Sequence, residues 1–439
     1  MTRSTTKHGP AGAAMKPCAC PDLQSAMSRR SFLKRTAGAG LVAGIASQGM
    51  FTRLAFAGTP YDGDILVILS LRGGMDGLNA IVPVADPDYP LWRPNVGIPV
   101  NHPGLYQLDS MFGMHPAMAS LQPFWESGAF GVVQAVGMAQ PNRSHFQAME
   151  EMERAAPGTS VRTGWIDRVL GLREAGTSFQ GVQMGSSLAA SAFLGNSPEL
   201  AMWSVDSFGL DAAGDDDDER ARWDGALRAL HTGAPDVLAA PTSTTLDALQ
   251  TTASLRAAGY VPEHGAVYPS DSRLGDALQD VSRLIKADVG LQVAAIDYGD
   301  WDMHSDMGTV DGGWMVDHLT ELSGAMAAFG TDLGPALNDV SLVSLTEFGR
   351  RVQENGSGGV DHGFGQSVLM LGGGFRGGQV HGAWPGLAED DLVDGDVDGV
   401  NDYRWVLAEV LEKRCRASSV STVFPGVGSE RLGLANVKP

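Results

Sequence analysis

The sequence predicts an α/β fold with a largely parallel central sheet covered by helices on both faces. Three observations point to it. Short apolar runs rich in β-branched residues recur along the chain. Each is followed by glycine or polar residues and then by a helical pattern. The runs are nearly continuous in apolar character, as strands buried on both faces are.

The elements follow in order. Residues 1–57 read as an export leader and not as part of the fold. Paired arginines in "SRRSFLK" precede a mild Gly/Ala-rich stretch, Ala37 to Ser47, and "AFA" (Ala55 to Ala57) offers a cleavage site. This is the pattern of a twin-arginine signal, which implies the twin-arginine translocase as a partner and a periplasmic or extracellular destination. The predicted strands are Ile65 to Leu71, Phe130 to Val136, Val293 to Ile296, Val340 to Leu345 and Ser367 to Leu371. The predicted helices are Trp165 to Leu172, Leu274 to Ala287 and Val316 to Phe329. Residues 58–439 are taken as one domain, with a mainly helical insertion or cap over about 195–270. That region contains the acidic run "GDDDDER", read as a solvated loop.

Charge and cysteine content narrow the function. The leader holds eight of the 31 basic residues and one of the 51 acids, which leaves a net charge of about −27 on the remainder. Such an acidic chain is a poor partner for nucleic acid or an anionic membrane. No stretch after the leader reads as a membrane anchor. Beyond the leader only Cys415 remains, so neither an intramolecular disulfide nor a cysteine zinc site is available.

The chemistry-bearing residues cluster after strands. Asp76 follows the first strand, in "SLRGGMDGLN". Ser144 and His145 follow the second, in "QPNRSHF". Asp302 and His304 follow the third, in "GDWDMHSD". Glu347 and Arg350 follow the fourth, in "TEFGRR", and Asp361 and His362 come next, in "GVDHGFG". Parallel strands would bring these ends to one edge of the sheet, where α/β proteins bind ligands. Aspartate, glutamate and histidine without cysteine suit Zn²⁺, Mn²⁺, Mg²⁺ or Fe. Ser144 stands before a helical segment, where free amides stabilise an anion, and Arg143 beside it can pair with a phosphate or sulfate oxygen.

These motifs, with "GGQVHG" (Gly377 to Gly382), resemble the exported proteins of the DUF1501 family in content and order. That family is similar to the alkaline phosphatase and sulfatase superfamily. The resemblance implies a three-layer α/β sandwich and a hydrolase with two metal ions at the strand ends. It implies Asp76, Asp302 and His304 as metal ligands and Ser144 as nucleophile. The remaining ligands match in two ways. Either Asp361 and His362 form an adjacent pair with His381 as the last histidine, or Glu347 is the ligand, Phe348 replaces one, and His362 is the later histidine. His145 would serve as acid or base; Asn79, Arg143, Arg350 and His381 would face the substrate. A phosphoester outranks a sulfate ester, because the Cys/Ser-x-Pro-x-Arg motif of formylglycine sulfatases is absent around Ser144. The alternative is a member that has lost catalysis and serves as an exported binding or surface protein.

Two weaker motifs read as structural. "DGDVDGVND" (Asp394 to Asp402) begins like a calcium loop but has Trp405 where the bidentate glutamate belongs, so it is an acidic turn before the helix "YRWVLAEVLEK". "LGGGFRGG" lacks the lysine of a phosphate loop and reads as a strand-to-loop turn near the site.

Overall fold

The computed structural model describes residues 61–173, 176–210 and 217–439. The leader over 1–57 lies outside them, as do residues 211–216 of the acidic region.

The principal strands are β1 (Ile65–Leu71), β2 (Phe130–Gly137), β3 (Gly181–Met184), β4 (Leu200–Met202), β5 (Val293–Tyr298), β6 (Val340–Leu345), β7 (Arg350–Glu354), β8 (Val360–His362), β9 (Gln366–Leu371) and β10 (Val380–His381). The central sheet runs β10-β2-β9-β6-β1-β5-β3-β4, and Asn401–Asp402 also pairs with β2. All of its strands are parallel except β9, which is antiparallel to both β2 and β6. β7 and β8 form a small antiparallel sheet beside it with Asp396–Val397 and Leu392–Val393.

Every residue of β2, β6 and β9 is buried, which is why these runs lack polar alternation. The faces of β1 show how the layers form. Val67, Leu69 and Leu71 join a core with Leu274, Leu278 and Leu284 of one helix and Leu319, Leu322 and Phe329 of another. Leu66 and Ile68 point the other way, toward Met149, Met152, Ile166, Leu170, Val406 and Leu411. Each such fully buried side chain contributes about 1.5–3 kcal/mol of transfer free energy. Helices therefore cover both faces.

The helices used below are α1 (His145–Arg154), α2 (Trp165–Leu170), α3 (Asp217–His231), α4 (Asp236–Ala258), α5 (Arg273–Lys286), α6 (Trp314–Leu333) and α7 (Tyr403–Lys413). α3 and α4 occupy the expected insertion, and Asp217 to Arg220 of the acidic run begin a helix where a loop was expected. The region opens differently from expectation too: Leu200–Met202 is a strand at the edge of the central sheet.

The reversed direction of β9 corrects one reading. Its first residue, Gln366, pairs with Val136 near the end of β2, and its last, Leu371, pairs with Phe130 at the start. "LGGGFRGG" therefore leaves the sheet at the edge opposite the C-terminal ends of the parallel strands. Asp361 and His362, which precede β9, come to the same edge as the ends of β1, β2, β5 and β6.

Candidate metal centre

The two glycines after β1 make close approaches possible. Gly73 has φ +115, and a Cβ there would lie 2.8 Å from the amide nitrogen of Asp302. Gly74 has φ +75, and a Cβ would meet the Phe348 ring at 2.7 Å. Both carbonyls accept from the buried Arg350 guanidinium, Gly74 at 2.6 Å. The glycines thus let the loop after β5 and the turn after β6 close onto β1.

Three donor atoms meet in that corner. His304 Nε2 lies 2.9 Å from His362 Nε2 and 3.1 Å from Asp302 Oδ1, and His362 Nε2 lies 3.0 Å from the same oxygen. The opposite nitrogens are tied. His362 Nδ1 donates to the carbonyl of Arg143 at 2.9 Å, and His304 Nδ1 is 2.8 Å from Asp361 Oδ1. A carbonyl or carboxylate oxygen accepts, so both Nδ1 atoms carry hydrogen and each ring turns its Nε2 inward, where a bound cation can take the lone pair. Asn355 steadies the arrangement, donating from Nδ2 to the His304 carbonyl at 2.8 Å and to Asp361 at 3.1 Å.

The fourth member is His145, the first residue of α1. Its Nδ1 lies 2.7 Å from Oε1 of Glu347, a carboxylate 2% exposed that also accepts from the amide of Gly73 at 2.9 Å. Its Nε2 is buried without a hydrogen-bond partner and stands 3.5 Å from Asp302 Oδ2. His145, Asp302 and His362 bring ligand atoms within 4.8 Å of one another, a set that can hold a metal ion. Phe348 lies against both imidazoles, 4.8 Å from the His145 ring and 4.7 Å from the His362 ring. The side chain at the position of a possible ligand instead backs two histidines.

The electrostatics match a cation site. Burial would raise the Asp302 carboxyl, but the hydrogen bond and charge of Arg350, with the imidazoles of His362 and His304 beside it, outweigh it and hold the group at about 2. The hydrogen bond from His304 and that from Asn355 likewise hold Asp361 below the usual range. Donors about 2.05 Å from one ion stand roughly 2.9 Å apart at a right angle and roughly 3.3 Å apart at the tetrahedral angle. The observed spacings of 2.9, 3.1 and 3.0 Å fit such a shell.

Other expected residues lie elsewhere. Asp76 is not in the cluster's hydrogen-bonded network: its Oδ2 meets Arg93 Nη1 at 2.5 Å, both side chains being buried. Asn79, expected at the substrate, is buried between the carbonyl of Val96 and the hydroxyl of Tyr89. His381 bonds the Arg376 carbonyl at 2.8 Å, and its strand pairs with the middle of β2, so it is fixed away from the strand ends. The two expected anion-binding arginines are already engaged. Arg143 pairs with the buried Asp396, and Arg350 is spent on Asp302 and the carbonyls of Gly73, Gly74, Trp301 and Val360. Ser144 is exposed at the start of α1, and its hydroxyl makes no capping hydrogen bond.

The sequence reading missed the partners Arg93, Asp396 and Asn355. Nothing local marks them, since each meets its target through the tertiary fold; Arg93 alone carried a hint, as a basic residue within an otherwise apolar stretch. Beside the cluster opens a cleft of about 580 Å³, lined by Arg72, His145, Phe146, Glu153, Asp300 and Asp302 among others.

A family model described as "Protein of unknown function (DUF1501)" matches residues 244–397. That segment holds Asp302, His304, Glu347, Asp361 and His362, and the match supports the resemblance to the DUF1501 family. Ser144 and His145 fall outside it. No curated protein matches the chain.

Proposed function

We propose that the cluster binds a divalent metal ion and that the protein is an exported metal-dependent hydrolase of phosphoesters, a distant relative of the alkaline phosphatase and sulfatase superfamily. The observation that carries the reading is the pair of inward Nε2 atoms, 2.9 Å apart and each about 3 Å from one oxygen of the Asp302 carboxylate, with both Nδ1 atoms engaged elsewhere. Such a concentration of acceptors is costly unless a cation sits among them.

Asp302, His304 and His362 would hold the ion, with His145 beside them. Asp76, neutralised by Arg93, favours one ion over two. When bound, the ion supplies Lewis acidity at the phosphoryl group. The side chains supply the rest. Ser144 Oγ, free of capping duty, attacks phosphorus while its proton passes to a base; the ester P–O bond breaks, the leaving oxygen takes that proton and departs as the alcohol, and water then hydrolyses the phosphoseryl ester to restore the hydroxyl. His145 is that base, and Glu347 keeps the Nδ1 proton in place so that Nε2 accepts. The first-turn amides of α1 face developing negative charge, a role that the engaged Arg143 and Arg350 leave open. Among the described residues no helix is long and apolar enough to cross a membrane.

The test is hydrolysis of aryl phosphomonoesters and diesters by the purified chain after loading with Zn²⁺, Mn²⁺ or Fe²⁺. Turnover that chelator abolishes, and that Ser144→Ala lowers at least about a hundredfold, is expected. Turnover indifferent to chelator or to Ser144→Ala would contradict the mechanism.

A further inference from the structure

The cleft beside the cluster has a wall of mixed character. Phe146, Met149, Glu150 and Glu153 stand at i, i+3, i+4 and i+7 of α1 and share one helix face. Phe146 is 89% exposed and immediately follows His145. Arg72 is the one arginine or lysine of the lining, and it is neutralised by Glu153 and Asp297, each at 2.8 Å. Glu150 and Asp300 line the cleft, and their carboxylates make no hydrogen bond or ion pair among the described residues. The lining thus combines an apolar strip that begins beside His145 with the carboxylates of Glu150 and Asp300.

We propose that this cleft seats the organic part of the substrate and selects a neutral aromatic or alkyl group over one bearing further negative charge, with Phe146 as the specificity-determining side chain. The inference rests on the phosphoester reading above. The cleft is continuous with the cluster, since His145 and Asp302 line both. A phosphoryl group held at the cluster would place its ester substituent against Phe146. An aromatic face there gains from burial and ring contact, whereas a second anionic group would meet Glu150 and Asp300 in a lining whose one arginine is already paired. Polyphosphorylated compounds are thereby disfavoured.

The experiment uses the metal-loaded full chain and stable phosphonates as probes, with affinities read by calorimetry. Phenylphosphonate is expected to bind about tenfold more tightly than methylphosphonate, and 4-carboxyphenylphosphonate more weakly than phenylphosphonate. Phe146→Ala should erase the phenyl advantage while leaving methylphosphonate affinity and metal content unchanged. Glu150→Gln should recover part of the carboxyphenyl affinity. Equal binding of phenyl- and methylphosphonate by the unaltered chain, or no effect of Phe146→Ala, would overturn the inference and leave the phosphoester reading standing. Failure of every phosphonate to bind the metal-loaded protein would overturn both.

Discussion

Glu347 and Asp361 touch no substrate in this account, yet each fixes a histidine. Glu347 takes the Nδ1 hydrogen of His145, and Asp361 takes that of His304, which sets the tautomer and aims Nε2 inward. Glu347→Gln and Asp361→Asn keep the shape and remove the charge. Each is expected to lower metal affinity about 10–100-fold in a competitive chelator titration, with stoichiometry at saturating metal unchanged. Unaltered affinity would show that the histidines need no such orientation. At this scale the sequence was legible where acids and histidines gather after strands, as with Asp302, His304, Asp361 and His362. It was not legible for Asp76 or Arg350, whose roles depend on which partner the fold delivers. Asp76 looks poised for a ligand until Arg93, 17 residues on, is folded against it. Arg350 looks free to bind an anion until the carbonyls of Gly73 and Gly74 converge on it.

Elements were easier to read than partners. The apolar runs at Ile65, Phe130, Val293 and Val340 are strands within a residue or two of the expected bounds, because double-sided burial leaves an uninterrupted apolar signature. β3 and β4 escaped notice because "GVQM" and "LAM" are too short, and too poor in β-branched residues, to stand out. The direction of β9 was illegible, since an apolar run reads the same whichever way it enters the sheet. A further element depends on a titrating cap. His115 precedes the 3₁₀ turn Pro116–Leu121, and its Nδ1 accepts from the amide of Ala117 at 2.9 Å. Burial pushes its pKa down to about 4. An unfolded histidine takes a proton near 6.5. Between these values the unfolded chain binds more protons than the folded one, so stability falls as pH drops from about 6.5 to 4. An asparagine in place of His115 would keep an acceptor for the cap without titrating there. Melting curves of His115→Asn are expected to show a shallower loss between about pH 6.5 and 4.5 than those of the unaltered chain. An identical slope would mean that His115 does not drive the acid limb.

The molecule divides its work between the two edges of the sheet. At the edge where β1 begins, Asp64 is fully buried and binds Arg414 through two hydrogen bonds of 2.8 and 2.9 Å, Lys438 at 2.8 Å and Ser341 at 2.8 Å. It joins the start of the described chain to its end. Asp64→Ala would strand a buried arginine and should cost about 3–5 kcal/mol in denaturant unfolding. Metal affinity should stay unchanged, because the cluster lies at the other edge. Loss of metal in a folded Asp64→Ala protein would mean that the two edges are coupled. Elemental analysis of the full chain, purified without chelator or histidine tag, decides whether the cluster holds an ion. About one equivalent of Zn, Mn or Fe per chain, falling to near zero in Asp302→Asn and in His362→Ala variants of unaltered fold, is the predicted result. A chain that holds no metal after exposure to each of these ions, or one whose metal survives both substitutions, would contradict it.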